Sequence, residues 1–292
     1  MKWLAVVNTA AGRAHEAEQL WSRVERSHPG LERALTDGPG SGARIARAAT
    51  DFDGLIVIGG DGTISECLTG MDLPRQRLAV LPAGHGNCLA RDLGLRTANA
   101  ALSALRQPHW RSLDLMDVVY HRHGGASSQR LCASTLALGY VAHVVATGRA
   151  RLARLGHAAY AAAAFVTVPQ RFRAHALVQG AANGASQSLT GIVVTNTAHL
   201  ANFRAFPDAR IDDGQLDVMW QDHGWWRQQL HNCAVLVGST AFGPRAMQQS
   251  SRLRVWLDAP QSLMADGELL DGVTKFEVAC RRAAVQCAGA RP

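Results

Sequence analysis

The stretch Leu55-Ile56-Val57-Ile58-Gly59-Gly60-Asp61-Gly62-Thr63-Ile64-Ser65-Glu66 decides the fold. Four consecutive aliphatic residues, most of them β-branched, suit a strand buried on both faces, as in a parallel sheet. Gly59-Gly60 stops that strand, and Ile64 to Leu68 reads as helix. The same order recurs on either side. Downstream, Leu78-Ala79-Val80-Leu81 stops at Pro82-Ala83-Gly84, and Asn87 to Leu93 reads as helix. Upstream, Trp3–Val7 leads into the small-residue turn Asn8-Thr9-Ala10-Ala11-Gly12 and a helix from about Ala14 to Ser27. Strand, glycine turn and helix in repetition predict a parallel sheet with helices on its faces. In such sheets ligands bind at the carboxyl ends of the strands, where both glycine turns fall.

The pattern changes after about Leu113. Leu131–Leu138, Leu189–Asn196, Leu216–Trp220, Leu253–Leu257 and Phe276–Ala279 read as strands, and Gly139 to Val168 is the one helical exception. This predicts a second, mostly antiparallel β domain. Gly180 to Ser188 is small and polar and reads as a hairpin loop.

Composition narrows the class. The chain has 292 residues, enough for two domains with real cores. Hydrophobic residues make up 47% and charged residues 18%, a globular balance. The formal charge of +7 favours anionic partners and equally serves solubility. Lys2 and Lys275 are the only lysines, so nearly all positive charge is arginine, which forks onto phosphate. Basic residues do not alternate with aromatics as in a nucleic-acid groove, so no nucleic-acid partner is expected. Six scattered cysteines without a C-x-x-C pair point to a reduced, cytoplasmic protein rather than a disulfide framework or a zinc site. The apolar runs Trp3–Val7 and Ala158–Val168 are too short for a leader core or a membrane span, respectively.

Four motifs carry chemistry. In Gly59-Gly60-Asp61-Gly62-Thr63, glycines let backbone N–H groups approach phosphate, and the following helix adds its positive end. Asp61 can there hold Mg²⁺ or accept a proton. The same residues also fit a plain tight turn. In Leu81-Pro82-Ala83-Gly84-His85-Gly86-Asn87, Asn87 suits either a helix cap or a hydrogen bond to a nucleotide, and His85 is a loop residue near phosphate. Asp266-Gly267-Glu268 offers a carboxylate beside a turn, suited to a general base or to an ordinary surface turn. Asp212-Asp213-Gly214 with Asp217 suits a hard cation or an acidic hairpin.

Together and in this order, these motifs resemble the diacylglycerol kinase catalytic-domain family, which includes bacterial lipid kinases and sphingosine and ceramide kinases. Phe52 to Glu66 is similar to its nucleotide loop, with Glu66 and Gly70 at its E-x-x-x-G spacing, and Leu81 to Arg91 to its second loop. Asp114, Gly139-Tyr140 with Gly156, Ala159 and Tyr160, then Asn196, Pro207, Ala209 and Asp212-Asp213-Gly214 follow in order, ending at Asp266-Gly267-Glu268.

The resemblance implies an N-terminal α/β domain like that of phosphofructokinase and NAD kinase, residues 1–113. A C-terminal antiparallel β-sandwich would span 114–279, with about 280–292 packing back on the first domain. It implies transfer of the γ-phosphoryl group of Mg-ATP to a lipid hydroxyl, with ATP in the cleft between the domains. ATP would meet Asn8, Gly12, Arg13, Gly59, Gly60, Gly62, Thr63, Glu66, Gly84, His85, Gly86 and Asn87. Glu268 would be the catalytic base, with Asp61 as metal ligand or base partner. Asp212, Asp213 and the chain at Leu216 would hold a second, structural cation. The first turn departs from the family pattern at Thr9 and Ala11, and the second loop at His85 and Cys88, where many bacterial members carry aspartate. Arg13 and Arg154 stand in for lysines.

Two alternatives share the fold: an NAD kinase, and a non-catalytic nucleotide- or lipid-binding regulator. Expected partners are ATP, a lipid substrate and, through Arg149, Arg151 and Arg154, a transiently contacted anionic membrane surface at the inner face of the membrane. A homodimer is compatible with the sequence.

Overall fold

The computed structural model describes residues 1–9, 14–125, 127–178, 186–201, 203–236 and 246–291. The chain divides into two compact units. The first comprises Met1–Leu115, Ile211–Asp213 and the stretch from Arg281 onward; the second comprises Met116–Arg210 and Gly214–Cys280.

In the first unit, β1 (Trp3–Val7), α1 (Ala14–Ser27), β2 (Glu32–Leu35), α2 (Ser41–Ala48), β3 (Gly54–Gly59), α3 (Asp61–Gly70), β4 (Arg77–Pro82), α4 (Cys88–Asp92) and α5 (Ala98–Arg106) follow in order. The strands lie side by side as β2-β1-β3-β4, all parallel. Cys287 and Ala288 add a further parallel partner beside β4. Every residue of β3 is buried, which is why its sequence is an unbroken apolar run rather than an alternating one. The chain leaves β1 for β2 on one side and then returns to β3 on the other. The order therefore reverses at β1 and β3, and their carboxyl ends open on the crevice where ligands bind in such sheets.

Helices α2 and α3 pack closely because glycines allow it. A Cβ built on Gly70 would collide with the Ala43 carbonyl, and one on Gly42 would stand 2.9 Å from the Glu66 Cβ. The four-residue spacing of Glu66 and Gly70 puts both on one face of α3, toward α2. Asp114 is buried; its N–H donates to the Ile211 carbonyl at 2.8 Å and its carboxylate accepts the Ala283 N–H at 2.6 Å. Those two bonds tie the short returning segment and the C-terminal stretch into this unit.

The second unit holds the end of β5 (His109–Arg122), then β6 (Ser127–Cys132), β7 (Thr135–Gly139), α6 (Tyr140–Arg151), a 3-10 turn (Ala153–Ala158), α7 (Ala159–Val166), β8 (Phe172–Val178), β9 (Ser186–Leu189), β10 (Gly191–Thr195), β11 (Leu216–Gln221), α8 (Trp225–Leu236), β12 (Ala246–Ser250), β13 (Arg252–Ala265) and most of β14 (Glu268–Gly289). The pairs β5–β6, β7–β10, β7–β13, β8–β9, β8–β13, β10–β11, β11–β12 and β13–β14 are antiparallel. Strand β13 pairs β8 through residues 253–257 and β7 through 263–265, and its pairing with β14 shifts register between Trp256 and Leu263, so one long strand serves two sets of neighbours.

Alternation along each strand splits the core. Leu136, Leu138, Ile192, Val194, Leu216 and Val218 join the main cluster with Phe276. Their neighbours Ala137, Val193, Met219 and Met264 turn the other way, against Tyr140, Val144 and Phe206. Both faces are buried, one by strands and one by α6, as the period of two requires.

Two local expectations change. The helical stretch 139–168 is broken between α6 and α7, where Gly156 has φ 54°. Helix α8 lies outside the one stretch of this domain expected to be helical. Residues 179–185, most of the expected hairpin loop, fall outside the described residues.

Candidate active site

The first unit gathers its motifs at the carboxyl ends of β1, β3 and β4. Gly60 stands at the N-terminal cap of α3 and Gly84 in the loop after β4. A Cβ on Gly84 would come within 2.5 Å of the Gly60 Cα, and one on Gly60 within 3.1 Å of the Gly84 Cα. The loops are therefore packed backbone to backbone, which only glycine permits. The Ala83 N–H donates to the Gly59 carbonyl at 2.9 Å and extends the β3–β4 ladder into the loops.

Asp61 supplies the second tie. Its carboxylate accepts the backbone N–H of Cys88 at 3.1 Å and of Leu89 at 3.3 Å. These are orphan donors of the first turn of α4, which a carboxylate satisfies well. Asn87 precedes that turn with φ 51°, a left-handed position asparagine tolerates. Its side chain does not cap the helix. Instead its Nδ2 donates to the Gly84 carbonyl at 2.8 Å and its Oδ1 accepts the Gly84 N–H at 2.9 Å. The Arg91 Nε donates to the Gly86 carbonyl at 3.3 Å and braces the far side of the loop.

Asn8 joins β1 to this group. Its N–H donates to the Ile58 carbonyl at 2.9 Å, its Nδ2 donates to the Thr63 hydroxyl at 2.6 Å, and its Oδ1 accepts from the Thr36 hydroxyl at 3.2 Å. Thr36, buried at the end of β2, and Arg91 are site residues that sequence reasoning missed; for Thr36 the available signal was a hydroxyl residue just past a strand. Glu66 faces α2: its oxygens accept the N–H of Gly40 at 2.7 Å and of Gly42 at 2.9 Å, anchoring the start of that helix. His85 and Gly86 sit in the β4–α4 loop beside Gly84, and Gly62 lies in the first turn of α3. Gly12 and Arg13 lie outside the described residues.

The second unit builds the other carboxylate from a buried anchor. Asp266, with φ 47°, is buried; its carboxylate accepts the N–H of Ala133 (2.7 Å), Ser134 (2.9 Å) and Thr135 (2.8 Å) and the Ser134 hydroxyl (2.5 Å). Glycine at 267, with φ 85°, then turns the chain so that Glu268 starts β14. Glu268 pairs with Arg130 at 2.8 Å; the arginine side chain is 11% exposed and the glutamate 37%. Burial works against the Arg130 charge, but Cys132, Glu268 and Asp266 outweigh it and hold its pKa above the ordinary arginine value. Arg130, another residue missed from sequence, fixes the Oε2 of Glu268, whose side chain stays partly exposed.

A divalent cation fits the first group in a limited way. The Asp61 carboxylate accepts the Cys88 and Leu89 N–H groups, and Mg²⁺ typically takes one or two carboxylates beside substrate phosphates and water. Among the described residues no three His, Cys, Asp or Glu side chains cluster as a protein-built cation cage would require. At the expected second site, Asp212 accepts a hydrogen bond from Arg111 at 2.7 Å.

Comparison with known proteins follows this division. Residues 2–118 match the family of the diacylglycerol kinase catalytic domain. Diacylglycerol kinases of two Mycobacterium tuberculosis strains, CDC 1551 / Oshkosh and H37Rv, are each 32% identical to the chain over 111 residues. Those matches cover 35% of this chain and 35% of each relative, so the chain spans about a third of the length of the curated relatives it matches. The crystal structure of a diacylglycerol kinase from Bacillus anthracis str. Sterne superposes with a TM-score of 0.76 at 20% identity, covering 100% of this chain and 97% of that one. Yeast NADH kinase complexed with NADH superposes with a TM-score of 0.54 at 10% identity, covering 100% of this chain and 84% of that one. Residues 2–118 are thus similar to the diacylglycerol kinase catalytic domain family, and the fold is that of the diacylglycerol kinase and NADH kinase structures, a parallel α/β part followed by antiparallel β structure.

Proposed function

We propose that this chain is an ATP-dependent lipid kinase that moves the γ-phosphoryl group of Mg-ATP to a hydroxyl of a lipid: a diacylglycerol, a sphingoid base or a related long-chain alcohol. The observation that carries the reading is the backbone-to-backbone packing of Gly60 and Gly84 at the carboxyl ends of neighbouring parallel strands. Two glycine loops held that close, with the start of α3 between them, present N–H groups and a positive helix end to a polyphosphate. The relatives named diacylglycerol kinase support the choice of a lipid alcohol as acceptor.

Phosphoryl transfer of this kind depends on positioning and on neutralising charge. Gly60, Gly62, Gly84 and Gly86 let the backbone close on phosphate, while Asn87 and Arg91 hold the second loop in shape and Asn8 holds Thr63. When bound, Mg²⁺ offsets the charge of the phosphates. Asp61, fixed by the Cys88 and Leu89 N–H groups, would be the carboxylate that holds it. Glu268, held through its Oε2 by Arg130, takes the proton of the acceptor hydroxyl. The protein reaches its acceptor at a membrane surface.

The test is a kinase assay with γ-labelled ATP against a broad lipid panel, with products identified by mass spectrometry and NADP formation measured in parallel. We expect Mg²⁺-dependent labelling of a long-chain alcohol, lost in Asp61→Ala and in Glu268→Gln, with no NADP formed. No labelled lipid in the panel, or full activity in Asp61→Ala, overturns the reading.

A further inference from the structure

Helix α8 is inside out. Its inward side carries Gln228, buried, with His231 and Asn232, while Trp225, Trp226, Leu230 and Leu236 are 39%, 75%, 47% and 46% exposed. At 3.6 residues per turn those four fall within an arc of about 140° that also holds exposed Cys233 and half-buried Gln229, so the exposed side is predominantly apolar. A surface helix of a water-facing protein shows the reverse arrangement.

The inward polar groups hold the helix in place. Asn232 Nδ2 donates to the Ala164 carbonyl at 3.0 Å and to the Tyr140 hydroxyl at 2.8 Å, and the Tyr140 hydroxyl itself donates to the Ala164 carbonyl. This seats α8 against the end of α7, where Val166 and Val168 are 63% and 58% exposed and extend the apolar surface. The two indoles meet edge to face with centroids 4.4 Å apart, a rigid amphipathic pair.

Two exposed arginines, Arg227 and Arg171, and one half-buried carboxylate, Asp222, lie at the start of this helix, so its charge is net positive. Helix α8 has no acidic residue, and Arg227 is exposed on it. Arg171, exposed, reaches the start of the helix, donating to the Asp222 carbonyl at 3.2 Å. Tryptophan over an apolar stripe with arginine at the margin is the composition that settles in the headgroup layer of a bilayer. Anionic headgroups complement the arginines.

We propose that α8, with the end of α7, is the surface by which this protein docks on an anionic lipid bilayer, Trp226 and Leu230 entering the headgroup layer and Arg227 facing the headgroups. This names the surface for the membrane contact in the function proposed above, and it places that contact on α8 rather than on Arg149, Arg151 and Arg154. Docking requires no catalysis, so the two readings are tested separately.

The experiment is co-sedimentation with vesicles of phosphatidylcholine alone or mixed with phosphatidylglycerol, without ATP, alongside tryptophan quenching by brominated lipid. Wild-type protein is expected to pellet with the mixed vesicles and to be quenched. The double variant Trp226→Ser, Leu230→Gln should lose partitioning by about tenfold or more. Arg227→Gln should lose the preference for anionic vesicles, and a triple change of Arg149, Arg151 and Arg154 to Gln should retain docking. Both α8 variants should keep the wild-type melting temperature and phosphorylate detergent-dispersed acceptor at the wild-type rate. Unchanged partitioning of the double variant, or no vesicle binding by the wild type, overturns the proposal. So does a wild-type dimer in light scattering that the double variant dissolves, which would make a second copy the occupant. Vesicle binding without kinase activity would remove the kinase reading and leave this one standing.

Discussion

Gly60 and Gly84 touch through their backbones: a Cβ on Gly84 would stand 2.5 Å from the Gly60 Cα and 2.9 Å from the Asn87 Oδ1. The Gly60 Cα is backbone and cannot swing aside, and the Asn87 amide is held by its two hydrogen bonds to the Gly84 backbone. Gly84→Ala must therefore push the loops apart, at a cost of about 1–3 kcal/mol. Calorimetric titration should show ATP affinity falling by roughly tenfold or more, with the fold retained by circular dichroism. Gly124, which has open space around it, is the control: an alanine there should leave affinity unchanged. Equal ATP affinities for Gly84→Ala and wild type would show that the closeness of the loops is not what binds.

Glu66 anchors the start of α2 by accepting the Gly40 and Gly42 N–H groups. Glu66→Ala leaves those donors without the carboxylate and should lower stability by about 1.5–3 kcal/mol in urea unfolding. Glu66→Gln keeps one acceptor oxygen and should lose less. If the two variants unfold at the same urea midpoint as wild type, the carboxylate is not the anchor.

Asp266 is a buried structural carboxylate. It satisfies three consecutive backbone N–H groups and a hydroxyl from a buried position. Asp266→Ala strands those donors without water and should cost about 3 kcal/mol or more. Differential scanning calorimetry should show a clear fall in Tm, with kinase activity falling because Glu268 loses its support. A variant that melts with the wild type would refute the anchoring role.

Glu277 lies between Arg252 and Arg254 across the β13–β14 ladder. Partial burial pushes its pKa up, but the hydrogen bonds from Arg254 and Arg252 outweigh this and hold it below the ordinary carboxylate value. A depressed folded-state pKa contributes stability above the unfolded value, and that stability is lost as pH falls through the folded one. Glu277→Gln should therefore be less stable than wild type at neutral pH. The gap should close as the pH is taken down to about 3, below the ordinary carboxylate range. A gap that stays constant with pH would mean the arginines do not hold the charged form.

The sequence alone determined the architecture of the first unit, because that information is local. An aliphatic run says buried parallel strand, two glycines say close backbone approach, and their repetition says carboxyl-end loops. It also determined the alternation that splits the core of the second unit, since a period of two is set within each strand. What only the tertiary structure decided is how the polar side chains are used. Asp61 caps a helix 27 residues away, Asn87 holds Gly84 rather than its helix, Asp266 is a buried anchor rather than a surface turn, and Asp212 meets an arginine 101 positions earlier. Helix α8 belongs with these: with its apolar residues facing outward, its pattern says nothing about which side is the core until its neighbours are in place. Propensity and periodicity act through residues adjacent along the chain, whereas a hydrogen bond or an ion pair selects its partner by distance in space.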